Sequence, residues 1–125
     1  MDADAIAELF APVVVVRMRR MFGGLGVYAG DAMFALAFDG EIFLKTTEAT
    51  RPEFMAVGSE PFRYMARSRE RELGYWRLPA AAFDDEDVLR HFTEIALADA
   101  REAALKKGIR RPLRRPSRRP GSRPR

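Results

Sequence analysis

Residues 32–45 read AMFALAFDGEIFLK, two apolar runs separated by Asp39 and Gly40. Asp39 and Gly40 form a strong hairpin signal, because both residue types adopt the positive φ angles that a two-residue turn requires. Residues 32–38 before the turn are apolar at every position, and residues 41–45 after it are mostly apolar. The stretch therefore predicts two neighbouring strands of an antiparallel meander.

The first of these two strands is expected at the centre of the sheet. A strand with one solvated face alternates apolar and polar residues, whereas a strand covered on both faces is apolar throughout. Simple alternation of side chains predicts two apolar faces. One face holds Phe34, Leu36 and Phe38, and the other holds Met33, Ala35 and Ala37.

The residues before the hairpin predict one helix and one strand. Residues 2–11 have apolar positions at helical spacing, and Pro12 ends the helix. Residues 13–28 predict a single strand that begins with the β-branched run Val13–Val16. Gly23–Gly24 interrupts it, and we expect a bulge or bend there rather than a phosphate-binding loop, because strand residues follow.

The residues after the hairpin predict two helices and two strands. Residues 46–58 are expected to form a helix with Phe54, Met55 and Val57 facing inward and Gly58 at its end. Residues 62–67 and 73–78 predict strands joined by an exposed charged turn. A last helix is expected from the acidic run at residue 84 to Gly108. The order is α–βββ–α–ββ–α, an α+β domain with an antiparallel sheet and flanking helices.

Composition limits the chain to one domain and excludes several kinds of site. The chain has 125 residues, of which 47% are hydrophobic, and it contains no cysteine. A disulfide scaffold, a thiolate metal site and a cysteine nucleophile are therefore excluded. The acidic N-terminus and the short apolar runs predict neither a secretory signal nor a membrane-spanning helix, so we expect a cytoplasmic protein.

The charges divide the chain into an acidic body and a basic tail. Residues 1–108 hold 14 Lys and Arg against all 18 Asp and Glu, a net charge of −4, whereas residues 109–125 hold eight Arg and no acid. Proline recurs every fourth residue from Pro112, so the sequence predicts a disordered Arg/Pro-rich tail over residues 109–125. Arginine binds phosphate strongly, and the tail is expected to bind nucleic acid without sequence preference. The eight candidate residues are Arg110, Arg111, Arg114, Arg115, Arg118, Arg119, Arg123 and Arg125.

Within the body, the candidate residues for chemistry have simpler structural interpretations. Asp84–Asp87 is expected to cap the last helix, because consecutive helical carboxylates do not converge on a metal. His91 is the only histidine, and a structural or surface position is expected for it. Arg17, Arg19 and Arg20, together with Tyr28, indicate a basic edge of the sheet, with Arg20 on the face opposite Arg17 and Arg19. This edge is either solvated with ion pairs or binds nucleic acid. Trp76 is expected in the core, on the face opposite Tyr75.

Several strand segments together resemble the N-terminal domain of the TfoX/Sxy proteins. Residues 19–28 read RRMFGGLGVY and residues 75–79 read YWRLP, with shorter similarities at residues 33–36, 40–45 and 62–64. The resemblance covers about residues 5–105. Its motif residues are Met21, Phe22, Gly23, Gly24, Tyr75, Trp76 and Pro79.

The resemblance implies a regulatory function. TfoX/Sxy proteins are positive regulators of natural competence and DNA uptake genes, and the resemblance implies the α–βββ–α–ββ–α order but no cofactor, metal or catalytic residue. Fuller members carry a helical C-terminal domain where this chain has its tail. We therefore expect a non-enzymatic adaptor that binds a protein partner, such as a transcription regulator, and nucleic acid through its tail.

Two alternatives remain open at this point. The first is a protein-interaction module whose tail serves solubility only. The second is a small enzyme, which would need groups from distant segments to converge, for example His91 with Tyr64 or Arg77, an arrangement that the sequence does not place. The sequence also leaves open the identity of the partner, the preference between DNA and RNA, and whether the chain self-associates.

Overall fold

The computed structural model consists of a six-stranded sheet with three α-helices, and it describes residues 1–21, 23–66 and 69–110. The elements in chain order are α1 (Ala3–Phe10), β1 (Arg17–Met21), β2 (Gly24–Ala29), β3 (Ala32–Phe38), β4 (Glu41–Lys45), α2 (Arg51–Ala56), β5 (Pro61–Ala66), β6 (Arg69–Arg77), a short 3₁₀ helix (Ala80–Phe83) and α3 (Glu86–Arg110). The sheet has the order β1-β2-β3-β4-β6-β5, and every neighbouring pair is antiparallel. The predicted fold class, an α+β domain with an antiparallel sheet and flanking helices, is confirmed.

All three α-helices pack on the same face of the sheet. The ring of Phe10 on α1 meets Phe34 on β3 edge to face, with centroids 5.1 Å apart. Phe54 on α2 meets Phe92 on α3 at 5.0 Å. These four rings and Trp76 are buried in one cluster, and Trp76 is a core residue as predicted. We call this cluster the main core. All three helices lie on this face of the sheet because each buries its apolar side in the main core.

Phe34 lies on the helix side of β3, although alternation predicted it on the face of Leu36. The register of β2 against β3 shifts between Val27 and Tyr28, and this shift leaves Phe34 as an extra residue in β3. Such a bulge puts two successive side chains on the same face. Met33 is on the side of Leu36 for the same reason. The central position of β3 and its burial on both faces are confirmed.

The first predicted strand is two strands joined by a tight turn. Gly23 has a φ of +79°, and Met21 pairs with Gly24, so β1 and β2 form a hairpin where a bend was expected. Four strands therefore precede α2, where three were predicted. The prediction of strand at Val13–Val16 is also wrong: the amides of Val13 and Val14 donate to the Phe10 carbonyl and close the end of α1.

The hairpin signals were accurate, but the extent of one hairpin was not. Asp39 and Gly40 have φ angles of +53° and +78°, as the two-residue turn between β3 and β4 requires. In the later hairpin, β6 begins at Arg69, so residues 69–72 are strand where a turn was predicted. Cross-strand backbone pairing outweighs the weak strand preference of a charged run. Residues 67 and 68 of the predicted turn lie outside the described residues.

The second helix is shorter than predicted and buries less. Only residues 51–56 are helical, and Phe54 is buried as expected. Met55 and Val57 were expected to face inward, but both are exposed. Gly58, at a φ of +79°, ends the helix: its amide donates to Met55 and the next amide donates to Phe54. This is the glycine C-terminal arrangement that the sequence predicted.

The last helix begins where predicted and ends later. A carboxylate oxygen of Asp85 accepts from the amides of Asp87 and Val88 at 2.9 and 3.3 Å, so the acidic run caps the helix. The helix continues through Gly108 to Arg110, and the predicted end at Gly108 is wrong. A single glycine costs a helix only about 1 kcal/mol, which the preceding helical residues can outweigh.

Candidate interaction surface on the sheet

The face of the sheet opposite the helices carries a second apolar cluster. Its buried members, Leu36, Phe43, Phe62 and Tyr75, all lie on strands. The rings of Phe62 on β5 and Phe38 on β3 are 5.4 Å apart, centroid to centroid, although β4 and β6 lie between those strands. Flat strands so placed would be about 14 Å apart. The sheet is therefore strongly curved, and its concave face buries this cluster without a covering helix.

Cations lie over two tyrosine rings at one end of the concave face. The guanidinium carbon of Arg17 is 4.8 Å from the ring centroid of Tyr28, and its Nε donates to the Gly30 carbonyl at 3.2 Å. The ammonium of Lys45 is 5.3 Å from the ring centroid of Tyr75. Both distances are within the range of favourable cation–π contact. Both positive charges are therefore held over the sheet by their contacts with the rings, and that of Arg17 also by a hydrogen bond.

Tyr75 joins two strands across this end of the face. Its hydroxyl donates to the Met33 carbonyl at 3.3 Å, and burial raises the pKa of its phenol to about 12, with a smaller contribution from Tyr28. The neutral phenol is thus the stable form at physiological pH. As predicted, Tyr75 and Trp76 lie on opposite faces of β6.

Arg77, a third cation on the concave face, forms an ion pair with Glu41. Its Nε lies 2.6 Å from a carboxylate oxygen of Glu41, and its guanidinium carbon is 6.0 Å from the ring centroid of Phe43. Neither this pair nor the contact of Lys45 with the sheet was predicted from the sequence. Both depend on the pairing of β4 with β6, which are distant in sequence.

Positive charge is concentrated on β1, which is an edge strand. The side chains of Arg17, Arg19 and Arg20 are exposed. Arg17 is 3.9 Å from the exposed carboxylate of Asp31, a separation at which an ion pair contributes little. Arg19 is paired with Gly26, on the strand face that Arg17 shares, and Arg20 lies on the other face. The predicted basic edge is present, with its arginines on both sides of the strand.

Of the predicted family motif, Met21, Gly23 and Gly24 lie at the turn between β1 and β2, and Tyr75 and Trp76 lie on β6. A cavity of about 800 Å³ opens between the turns at Gly23–Gly24 and Asp39–Gly40, and Met21 also lines it. A Cβ on Gly24 would collide with the carbonyl oxygen of Ala37. Glycine at this position therefore allows β2 and β3 to approach closely, which is a structural requirement. Phe22 lies outside the described residues, and Pro79 is buried at the start of the 3₁₀ helix.

The residues considered for chemistry do not converge on one site. Nε2 of His91 lies 3.0 Å from a carboxylate oxygen of Glu53 on α2, with both side chains about half exposed. In residues 1–21, 23–66 and 69–110, no group of three His, Asp or Glu is arranged to hold a metal ion. Asp85 is engaged in capping α3. The arrangement that the structure does assemble is the basic and aromatic surface at β1 and the concave face.

Most of the predicted nucleic-acid-binding tail lies outside the described residues. Arg110 is the last residue of α3, and the other seven arginines of the tail follow it.

The longest described helix, α3, has 25 residues and is therefore about 37 Å long. Within the described part of the chain, no helix is long and apolar enough to cross a membrane.

Comparison with known proteins identifies the family. The sequence model of the TfoX N-terminal domain matches residues 8–100, which include all six strands and most of α3. The chain belongs to the TfoX N-terminal domain family. A TfoX relative, "DNA transformation protein TfoX1" of Aliivibrio fischeri (strain ATCC 700601 / ES114), is 31% identical over 58 residues, 46% of this chain and 28% of the relative. The chain thus matches well under two thirds of that relative's length. The resemblance to the TfoX N-terminal domain is confirmed.

Proposed function

We propose that the protein is a non-enzymatic regulatory domain in DNA transformation, whose body binds a protein partner and whose tail binds nucleic acid. Membership of the TfoX N-terminal domain family and similarity to a DNA transformation protein support the pathway. The basic edge at β1 supports an interaction surface on the body. The specific regulatory action would be to bring the partner to DNA in the cytoplasm.

The observation that carries this proposal is the separation of charge along the chain. All 18 acidic residues precede residue 109, and eight arginines follow within 17 residues. An acidic body is repelled by phosphates, whereas closely spaced arginines bind them and release counterions. A protein with this distribution approaches nucleic acid through its tail and leaves its body accessible to another partner.

The test compares three full-length proteins that differ only in the eight tail arginines. Binding of a labelled 20-base-pair duplex is measured by fluorescence anisotropy across a series of salt concentrations. The wild type should bind with a log–log salt slope of about −7 if all eight arginines contact phosphates. Replacing the eight arginines with glutamine should abolish most binding, and replacing them with lysine should retain most of the slope, since the charge is unchanged.

The same measurement separates the proposal from the protein-interaction module with a solubilising tail. Such a module predicts equal, negligible duplex binding by wild-type and glutamine-substituted proteins at concentrations of about 10⁻⁴ M. Equal binding by the two proteins at any level rejects the function proposed for the tail. Circular dichroism of each variant provides the control for folding.

A further inference from the structure

The open edge of β1 is an available position for another strand. β1 has one neighbour, β2, so every second residue along it directs its backbone N–H and C=O away from the sheet. The pairing of β1 with β2 is regular from Arg17 to Met21. The opposite edge, β5, begins at Pro61, which has no N–H, and its pairing shifts register. Of the two edges, β1 offers the more regular set of donors and acceptors.

The side chains along β1 determine which strands can pair with it. Arg19 and Arg20 are exposed on opposite sides of the strand, and Arg17 is exposed beside Arg19. Val15, two residues earlier, is 90% exposed and is the most exposed large apolar side chain among the described residues. A second copy of β1 would place arginines opposite arginines, which is destabilising across strands. An acidic segment with some apolar residues matches both the charge and the exposed valine.

We propose that the edge of β1 binds an extended acidic segment of a partner protein as a seventh strand of the sheet. Backbone hydrogen bonds to β1 would supply the affinity, and acidic side chains near Arg19 and Arg20 would select the partner. This inference specifies the protein partner that the proposed function assigns to the body, and it does not depend on the tail. Addition of a strand would also cover the basic edge of this sheet.

The geometry favours an acidic peptide over single-stranded nucleic acid at this surface. Nucleic acid binds to sheets through bases stacked on exposed aromatic rings. Here Arg17 covers one face of Tyr28, and Lys45 lies over Tyr75, which is itself buried. The cations therefore occupy the positions that bases would need. A peptide strand requires no open ring, because its hydrogen bonds are made at the strand edge.

The experiment uses the full chain with its eight tail arginines changed to glutamine, so that the tail does not capture an acidic probe. The probe is an acetylated nonapeptide of three Val-Glu-Glu repeats, which presents glutamates on both faces of an extended strand, as Arg19 and Arg20 require. Titration followed by NMR should shift the amides of β1 and slow hydrogen exchange between Met18 and Arg20. A peptide with glutamine in place of glutamate should bind at least about tenfold more weakly, and N-methylation of the acidic peptide's backbone should abolish binding, since strand addition needs its N–H groups.

Charge reversal on the protein gives the decisive comparison. The double variant Arg19→Glu, Arg20→Glu should bind the glutamate peptide at least about tenfold more weakly and should gain binding to a peptide with lysine in place of glutamate. Arg101→Glu, an exposed position on α3, is the matched control and should change neither affinity. Circular dichroism and the dispersion of the NMR spectrum verify that each variant is folded.

Three outcomes would overturn the proposal. The first is undiminished binding of the N-methylated peptide, which would exclude strand addition. The second is equal loss of affinity in Arg101→Glu and the double variant, which would indicate non-specific electrostatic attraction to the protein rather than binding at β1. The third is tighter binding of a 15-nucleotide oligothymidine than of the peptide, lost on charge reversal at β1, which would make this edge a nucleic-acid surface. Because the tail is neutral throughout, none of these results bears on the duplex binding proposed for it.

Discussion

The two faces of this sheet exclude water in different ways. On one face, three helices cover Phe34 and its neighbours, and the largest buried side chains lie between the layers. On the other face, the described members of the cluster around Leu36 and Phe62 all lie on strands. There the curvature of the sheet brings β5 toward β3, so that aromatic side chains of the strands cover one another.

The difference shows that a sheet can bury both faces while keeping one available for interaction. A covering helix occupies the surface that it buries. Curvature buries the centre of the concave face and leaves its margin accessible, and the exposed Arg17 and Arg19 lie on that margin. The helix side therefore holds the larger core, and the concave side combines a smaller core with the candidate surface.

Alanine substitution of one phenylalanine on each face tests whether the two clusters are equally important for stability. Phe34→Ala should lower the free energy of unfolding by about 3–5 kcal/mol, because it leaves a cavity between covered layers. Phe62→Ala, also almost fully buried, should cost closer to 3 kcal/mol, since the single layer can relax into the space. Urea denaturation followed by Trp76 fluorescence measures both, and a larger loss for Phe62→Ala would reverse the comparison.

Alkaline pH should lower the free energy of unfolding through ionisation of Tyr75, which lies on the concave face. Its pKa is about 12 in the folded protein, above the usual 10.0, so the unfolded chain loses the phenol proton first as pH rises. The stabilisation is complete below pH 10 and is lost between pH 10 and 12, amounting to about 3 kcal/mol at 1.36 kcal/mol per pKa unit. Tyr75→Phe is the control: its stability should fall less than that of the wild type over the same interval. Equal pH dependence of the two proteins would contradict the prediction.

Two glycine substitutions probe the backbone that both faces share. Gly24→Ala should lower the free energy of unfolding by about 2–3 kcal/mol, because its Cβ meets the Ala37 carbonyl and forces β2 away from β3. Gly30→Ala is matched to it: the φ of Gly30 is +61° with open space around it, so only the left-handed strain of about 1 kcal/mol remains. Urea denaturation of both variants shows which loses more free energy of unfolding. A smaller loss for Gly24→Ala than for Gly30→Ala would show that β2 and β3 separate easily.

The smallest expected effect concerns the helix that covers the first face. Asp85→Ala removes the carboxylate that accepts from two amides at the start of α3 and should cost about 1 kcal/mol. Asp84→Ala, one residue away and without a capping contact, should change the stability by less than about 0.5 kcal/mol. Thermal denaturation of the two variants tests the difference, and equal shifts in Tm would show that the acidic run acts only through its total charge.

Three features that depend on a few neighbouring residues were predicted accurately, although the local signals at Val13–Val16, Gly23–Gly24 and Gly108 were misread. The turn at Asp39 and Gly40, the cap at the start of α3 and the end of α2 at Gly58 all depend on local backbone geometry. The family motif also indicated the α+β architecture, because the resemblance that it carries is to a domain of that class, and the family is confirmed.

Features that depend on distant pairing were missed. The bulge that moved Phe34 to the helix side arises from the register of β2 against β3, which no local pattern records. The contact of Lys45 with Tyr75 requires β6 to return beside β4 after α2. For the same reason, the candidate surface was predicted only in part: the sequence indicated the basic edge at β1, whereas the curvature that places cations over rings follows from the assembled sheet.

The bulge at Phe34 also bears on how the chain folds. A strand that is apolar on both faces buries nearly the same surface after slipping by one residue, so hydrophobic patterning alone does not choose its alignment. The tight turns on either side of β3, at Gly30 and at Asp39–Gly40, fix which residues meet. We therefore expect nucleation at these two turns, with misaligned β3 as the principal kinetic trap.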